Sequence, residues 1–244
     1  MKMQSLIDFI KKIGLLVFVY GRPSSGKTSF AGTAPAPILF IHTGERGLKV
    51  LGPRDDIKVF DCPDSASAEV LFTKIGKSEE IAKHFKTIVV DSLHCLRELK
   101  IMEYAGDPDW NAVTHFVIKN IKALLPLLEK GINIILISHQ SADDPGGQSL
   151  KKRYIPSMGE RTSQAIVGRC DVVMYMNVEE VKEINPDTKK LGRTEQHVGY
   201  LAPCERYYSR VRVDHKTHKI PEKIVSPSFN DIQSIFETTT KGVK

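Results

Sequence analysis

The chain has 244 residues, of which 41% are hydrophobic and 26% are charged. This composition is that of a globular protein and excludes collagen-like, low-complexity and disordered chains, while the length favours one domain with a substantial core. Lysine and arginine outnumber aspartate and glutamate by 35 to 29, so the net charge is +6. That excess permits a polyanionic partner without requiring one.

The cysteines and the apolar runs predict the cellular compartment of the protein. The cysteines lie far apart and form no C-x-x-C pair, as expected in a reducing compartment. The apolar run Leu15–Val19 is too short for a signal peptide, and no run approaches the roughly 20 apolar residues of a membrane span. We therefore expect a soluble, cytoplasmic protein with no membrane partner.

Short apolar runs rich in β-branched residues recur along the chain and predict strands buried on both faces. They are Leu15–Val19, Ile38–Ile41, Ile57–Phe60, Ile88–Val90, Ile134–Ile137 and Val172–Met176. Helical patterns separate them, at Ala66–Ile75 with Ser65 as cap and Gly76 as stop, at Glu79–Phe85, and at Asn111–Lys130, where Pro126 predicts a kink. This alternation predicts a doubly wound α/β fold with a mostly parallel sheet.

The pattern changes after the sixth run. Two β-like runs, His197–Leu201 and Tyr207–Val213, predict an antiparallel extension at one edge of the sheet, followed by a last helix at Phe229–Glu237. We therefore predict a single domain. Its parts are an N-terminal helix in 1–13, a core in 14–177, a β extension in 178–225, and a C-terminal helix and tail in 226–244.

A phosphate-binding motif directly follows the first predicted strand. Gly21–Thr28 read G-x-x-x-x-G-K-T, in which backbone N–H groups wrap a β-phosphate. In this motif Lys27 contacts the β- and γ-phosphates and the Thr28 hydroxyl ligates Mg²⁺. ATP and Mg²⁺ are the predicted ligands, and the predicted nucleotide contacts are Gly21, Arg22, Pro23, Ser24, Ser25, Gly26, Lys27, Thr28 and Ser29.

Asp91 ends the predicted strand Ile88–Val90. An acidic residue at the carboxyl end of a buried strand commonly holds the metal of such a site. Together with the glycine-rich motif, Asp91 is the second predicted metal residue.

Several segments resemble the phage nucleotide-binding proteins related to RecA and RadA, which include Sak-type single-strand annealing proteins and recombinases with a minimal RecA core. The resemblance covers about residues 14–225. It is carried by Gly21–Phe30, Pro35–Leu48, Thr87–Leu93, Trp110 before its long helix, Gly131–Gln140 and Asp171–Tyr175. It implies a RecA-like P-loop ATPase, and the host cytoplasm if the origin is a phage.

The resemblance also implies residue roles. Glu45 matches the family's catalytic glutamate, which orients the attacking water, although this chain reads His42-Thr43-Gly44-Glu45 where the family usually reads Asp-Thr-Glu. His139 and Gln140 match a polar sensor of the γ-phosphate, with His139 the closer match. The plainer alternatives are that Glu45 is a solvated charge in a loop and that His139 is a structural histidine.

A DNA-facing loop is implied within 141–168, where Lys151, Lys152, Arg153 and Tyr154 place three cations beside an aromatic ring. Such residues bind a phosphate backbone and stack a base. The segment shows no clear apolar strand, which favours a long functional loop. The alternative is an ordinary solvated loop.

Arg210 and Arg212 share one face of the period-two run Tyr207–Val213. The resemblance implies that this basic pair reaches the γ-phosphate of a neighbouring subunit, which would make hydrolysis depend on assembly. The alternative is an edge strand protected by charge from aggregation.

The leading hypothesis is an ATP-hydrolysing homo-oligomer, ring or filament, that binds single-stranded DNA and promotes annealing or strand exchange. A single-strand DNA-binding protein is a further candidate partner. Two alternatives remain: a nucleotide-switched assembly or helicase-loading factor, and a P-loop nucleoside or nucleotide kinase.

Overall fold

The computed structural model describes residues 12–143, 153–184, 191–214, 216 and 218–237. Within them the chain forms one sheet of ten strands. The strands are β1 (Leu16–Gly21), β2 (Ile38–His42), β3 (Ile57–Asp61), β4 (Thr87–Asp91), β5 (Asn133–Asp143), β6 (Arg153–Pro156), β7 (Val172–Ile184), β8 (Leu191–Tyr200), β9 (Arg210–Val211) and β10 (Lys223–Val225).

The strands alternate with helices along most of the chain. The α-helices described are α1 (Lys27–Ala31), α2 (Ser65–Lys77), α3 (Glu79–His84), α4 (Leu93–Ile101), α5 (Trp110–Leu124), α6 (Glu160–Val167) and α7 (Phe229–Glu237). Two 3₁₀ helices, Arg46–Leu51 and Leu125–Lys130, complete the helical elements of this part of the chain. Almost all of the predicted N-terminal helix lies outside the described residues.

The sheet is mostly parallel. Its main path runs β10-β8-β7-β1-β5-β4-β2-β3, and all pairs from β7 to β3 are parallel. Beyond β7 the path continues with β8 and β10, which pair antiparallel. β9 also pairs antiparallel with β7. The predicted α/β class, with a mostly parallel sheet and a C-terminal antiparallel extension, is confirmed.

Helices cover both faces of the sheet because the side chains of each strand alternate between two cores. On β1, Phe18 and Tyr20 join a core with residues of α2, α4, α5 and α6. Val17 and Val19 face the other side and join a core with residues of α1 and α7. All six residues of β1 are buried, which explains its unbroken apolar sequence.

Two helix ends differ from the predictions. Asp64, not Ser65, caps α2 by accepting a hydrogen bond from the Ser67 N–H at 2.7 Å, and the helix continues through Gly76 to Lys77. The predicted helix Asn111–Lys130 divides into α5 and the 3₁₀ helix Leu125–Lys130, which carries Pro126 in its first turn. Proline is tolerated there because its missing N–H is not needed.

The predicted long loop 141–168 is wrong. β5 continues to Asp143 and pairs antiparallel with β6, and α6 follows β6. The residues that extend β5 beyond its apolar run are polar, and hydrogen bonds to β6 keep them in the sheet. An apolar pattern in the sequence does not reveal such a pairing. The predicted strand Tyr207–Val213 is also shorter, since only Arg210 and Val211 form β9.

Among the described residues, none of the helices is both long enough and apolar enough to cross a lipid bilayer.

Candidate functional site

The site lies where the parallel strands end. Gly21 of β1 pairs with His139 of β5, and Asp91 of β4 pairs with His42 of β2, so these four residues meet at one edge of the sheet. A cavity of about 380 Å³ opens there. Its walls are Pro23, Ser24, Ser25, Gly26, Lys27, Thr28, Ser29, Glu45, Arg46, Gly47, Val50, Asp91, His139 and His197.

The glycine-rich loop turns sharply between β1 and α1. Ser24 and Gly26 have positive φ angles of 61° and 88°, and α1 begins at the next residue, Lys27. A Cβ on Gly26 would come within 3.2 Å of the imidazole of His197, which reaches the loop from β8. The loop therefore requires glycine here for its backbone conformation and for its packing. Sequence reasoning did not identify His197 as part of the site.

Lys27 lies under this loop. Its Nζ donates hydrogen bonds to the carbonyl oxygens of Arg22 at 2.8 Å and Gly21 at 3.1 Å, and the residue is only 7% exposed. Burial lowers the pKa of Lys27 to about 8, an effect that Asp91 and Glu45 oppose. An ammonium held among backbone groups in a partly dry cavity is well suited to bind phosphate oxygens.

Thr28 and Asp91 meet in the wall of the same cavity. The Thr28 hydroxyl donates to Asp91 Oδ2 at 2.9 Å. Asp91 is 1% exposed, burial raises the pKa of its carboxyl group, and its Oδ1 is buried with no hydrogen-bond partner among the described residues. A hydroxyl and a carboxylate with an unused oxygen form the donor set that Mg²⁺ and its water ligands require, so these residues fit the ion.

Glu45 is positioned by its own backbone and by its carboxylate. His42 Nε2 lies 2.6 Å from the Glu45 carbonyl oxygen, and its Nδ1 lies 2.8 Å from Asp61 Oδ1. Burial disfavours the charged form of His42 and by itself lowers its pKa. The hydrogen bonds to Asp61 and to the Glu45 carbonyl outweigh this effect, so the pKa of His42 is raised. The Glu45 carboxylate Oε2 lies 2.9 Å from His139 Nε2. The extra residue before Glu45 therefore does not remove its carboxylate from the cavity edge of β5.

His94 and Cys95 also reach Glu45, and sequence reasoning assigned them no chemistry. His94 Nε2 lies 3.7 Å and Cys95 Sγ 3.9 Å from Glu45 Oε2, and the His94 ring meets the His139 ring edge-on at 4.1 Å. Burial and the nearby His139 lower the pKa of His94 to about 4, so it is neutral at pH 7. The signal for His94 was its place three residues after Asp91, at the edge where neighbouring strands also end.

The predicted sensor and DNA residues that the structure describes lie on β5 and β6. Gln140 follows His139, pairs with Pro156 of β6, and has a buried Oε1 with no partner in the described part of the chain. Arg153 covers the ring of Tyr208 at 4.0 Å, and Tyr154 stacks on Tyr175 with centroids 5.8 Å apart. Lys151 and Lys152 lie outside the described residues.

Arg210 and Arg212 lie away from the chain's own phosphate loop. Arg210 pairs with Val173, and the Arg212 N–H donates to the carbonyl oxygen of Asp171 at 2.8 Å, near the start of β7. The phosphate loop instead follows the end of β1, level with the later residue Met176 of β7. The structure does not place this basic pair in its own cavity, and action on a neighbouring subunit stays a prediction.

Comparison with known protein families gives one match over most of the chain. The family model of the AAA domain matches residues 13–213, which include every residue of the cavity wall. No curated protein matched the chain. Because the matched region contains the phosphate loop, Asp91 and the whole parallel sheet, the chain belongs to the AAA-domain family of P-loop NTPases.

Proposed function

We propose that this protein is a RecA-like ATPase that binds single-stranded DNA and promotes annealing or strand exchange as a homo-oligomer. The observation that carries the proposal is the course of β5. This strand contacts the cavity through His139 and continues without a break to Asp143, where it enters the hairpin with β6. The predicted DNA-facing residues Lys151 and Lys152 belong to the segment that joins these two strands.

The cavity residues divide the work of ATP hydrolysis. Lys27 binds phosphate oxygens, and Thr28 and Asp91 hold Mg²⁺, which neutralises charge on the phosphates when bound. The Glu45 carboxylate orients the water and accepts its proton. What supports these roles is that all four side chains face one cavity. All four residues precede β6 in the sequence.

His139 couples this chemistry to the hairpin. Its imidazole contacts the Glu45 carboxylate at 2.9 Å, and the next residue, Gln140, is already paired with β6. When Glu45 turns toward a water at the γ-phosphate, its contact with His139 changes, and β5 is the shortest covalent path to the loop. DNA bound by that loop would in turn stabilise one arrangement of His139 and Glu45, because linkage is reciprocal.

The test is the rate of ATP hydrolysis with and without single-stranded DNA. We expect DNA to stimulate the wild-type rate, and Lys27→Ala to lower it by about 10²–10³-fold, the loss typical of removing one donor to a developing anion. Lys122→Ala, a change at an exposed lysine of α5, is the matched control and should keep the wild-type rate. Activity indifferent to DNA would contradict the proposal, and phosphoryl transfer to a nucleoside would favour a kinase.

A nucleotide-switched assembly or loading factor is the second candidate. It is favoured by the 2.9 Å contact of Glu45 with His139, because a carboxylate held by an imidazole is less free to orient water. The two functions differ in the response to Glu45→Gln. If ATP turnover is unchanged while DNA binding still follows nucleotide state, the switch explains the protein better than the ATPase.

A further inference from the structure

We propose that Glu45, His94 and His139 form a binding site for a transition-metal dication of the Zn²⁺ class, separate from the Mg²⁺ site at Thr28 and Asp91. One ligand atom from each residue lies within 4.8 Å of the other two, and Glu45 Oε2 faces Nε2 of both histidines. The three residues come from separate segments: the loop after β2, the first turn of α4, and β5.

The separations of these atoms fit a metal ion. Zinc binds imidazole nitrogen and carboxylate oxygen at about 2.0–2.2 Å, which places ligand atoms roughly 3.3–3.6 Å apart in a tetrahedron. The distances from Glu45 Oε2 are 2.9 Å to His139 Nε2 and 3.7 Å to His94 Nε2, on either side of that range. Small rotations of the side chains would bring all three atoms to bonding distance of one ion.

The donor set selects against Mg²⁺. Two imidazoles and one carboxylate are the ligands of many zinc and iron sites, whereas Mg²⁺ prefers oxygen ligands. Cys95 adds a sulfur donor, with its Sγ 3.4 Å from His94 Nε2 and 3.9 Å from Glu45 Oε2.

A neighbouring residue orients one of the ligands, His94. Ser92 Oγ lies 2.7 Å from His94 Nδ1, so a proton on Nδ1 leaves the lone pair of Nε2 directed at the cluster. The Ser92 N–H in turn donates to the Thr43 hydroxyl at 2.8 Å. The side chains of Glu45, His94 and His139 are 27%, 15% and 19% exposed, so an ion can enter from solvent.

Occupancy of this site would change the role of Glu45. A metal ion bound to Oε2 would occupy the oxygen that orients water and would hold it beside His139. Metal binding would therefore compete with ATP hydrolysis by the same carboxylate. The binding itself requires neither ATP nor DNA, so it can be tested whether or not the proposed hydrolysis occurs.

The test is a titration of the nucleotide-free protein with Co²⁺, whose tetrahedral complexes absorb visible light, followed by displacement with Zn²⁺. We expect one Co²⁺ per chain in the wild type and in the control His115→Ala, which changes an exposed histidine of α5. Binding should weaken by at least about 10–100-fold in His94→Asn and in Glu45→Gln, since even changes outside the coordination sphere cause such losses.

Two variants keep the test decisive if one of them fails to fold, and circular dichroism identifies the folded ones. Equal Co²⁺ affinity in the wild type and a folded His94→Asn or Glu45→Gln variant would overturn the proposal. Absence of the visible bands in the wild type would overturn it as well. Loss of the bands in His115→Ala would assign the ion to another site.

Discussion

Glu45 depends for its position on residues of two strands, β2 and β5, which lie on either side of β4. His42 at the end of β2 contacts its carbonyl oxygen at 2.6 Å, and His139 of β5 contacts its carboxylate at 2.9 Å. Because both contacts come from the sheet, the Glu45 side chain is directed at the cavity by rigid elements. A loop residue held in this way is well placed for catalysis.

Glu45→Gln tests that role directly. The amide keeps the size of the side chain but removes the charge that accepts a proton from water, so we expect kcat for ATP hydrolysis to fall by about 10²–10⁴-fold. KM for ATP should change little, because Lys27 and Thr28 are untouched. Steady-state kinetics measure both constants. Glu80→Gln, at an exposed carboxylate of α3, is the control, and an equal loss of kcat in it would contradict the assignment.

His94 should make the stability of the fold depend on pH. Its folded-state pKa of about 4 is below the ordinary value of 6.5, so between these values the unfolded chain binds more protons. The free energy of unfolding should therefore fall as the pH drops from 6.5 to 4, by roughly 2–3 kcal/mol from this group.

Comparison with His94→Asn isolates that contribution. Asp91 and Asp171 have raised pKa values and act in the opposite direction, but they are present in both proteins. Urea unfolding at several pH values should give a shallower pH dependence for the variant. Parallel curves for the two proteins would show that His94 titrates normally in the folded state.

At the scale of elements, the apolar runs of the sequence predicted the strands whose residues are chosen by their own burial. The strands β1, β2 and β4 lie within a residue or two of the predicted runs, because burial on both faces demands continuous apolar sequence. β3 also matches its predicted run, although it is the last strand of the sheet path and most of its residues are exposed. The extension of β5 was missed since its polar residues pair with β6, and that pairing is tertiary. The meeting of His94 with Glu45 was missed for the same reason, although the ends of parallel strands always share one edge.

Gly76 shows how a correct observation led to a wrong interpretation. Sequence reasoning took it as a helix stop, but α2 continues past it, and a Cβ at this position would lie 1.8 Å from the carbonyl oxygen of Ala123 in α5. Glycine is therefore required for the close approach of the two helices, not for a turn.

Gly76→Ala should consequently destabilise the fold. The added methyl group meets backbone, which cannot rotate away, so α2 and α5 must move apart at a cost of about 1–3 kcal/mol, the usual range for overpacking. Urea unfolding midpoints measure the loss. Gly106→Ala is the matched control, because its Cβ would meet nothing within 4 Å. Equal stability of both variants would contradict the close packing of α2 on α5.

At the scale of the whole molecule, the two edges of the parallel sheet differ in what they offer a partner. The carboxyl edge holds the cavity and gives rise to the β5–β6 hairpin, whereas the amino edge, where β4 begins, carries exposed lysines such as Lys83 and Lys86. The net charge of +6 belongs to the chain as a whole. Charge alone therefore cannot say which one contacts DNA, but a comparison of matched substitutions can.

The salt dependence of DNA binding makes that comparison. Lys151→Ala/Lys152→Ala and Lys83→Ala/Lys86→Ala both lower the net charge from +6 to +4, so any general effect of charge is equal in the two. Each lost contact with a single-strand phosphate reduces the slope of log K against log salt by roughly 0.7, so the loop variant should lose about 1.4. The other variant should keep the wild-type slope, because its lysines lie near the start of β4, away from the strand ends that border the cavity. Fluorescence anisotropy with a labelled single strand at several salt concentrations measures the slopes. Equal slopes for the two variants would mean that the hairpin does not bind the strand, and the path from His139 along β5 would then lead to no ligand.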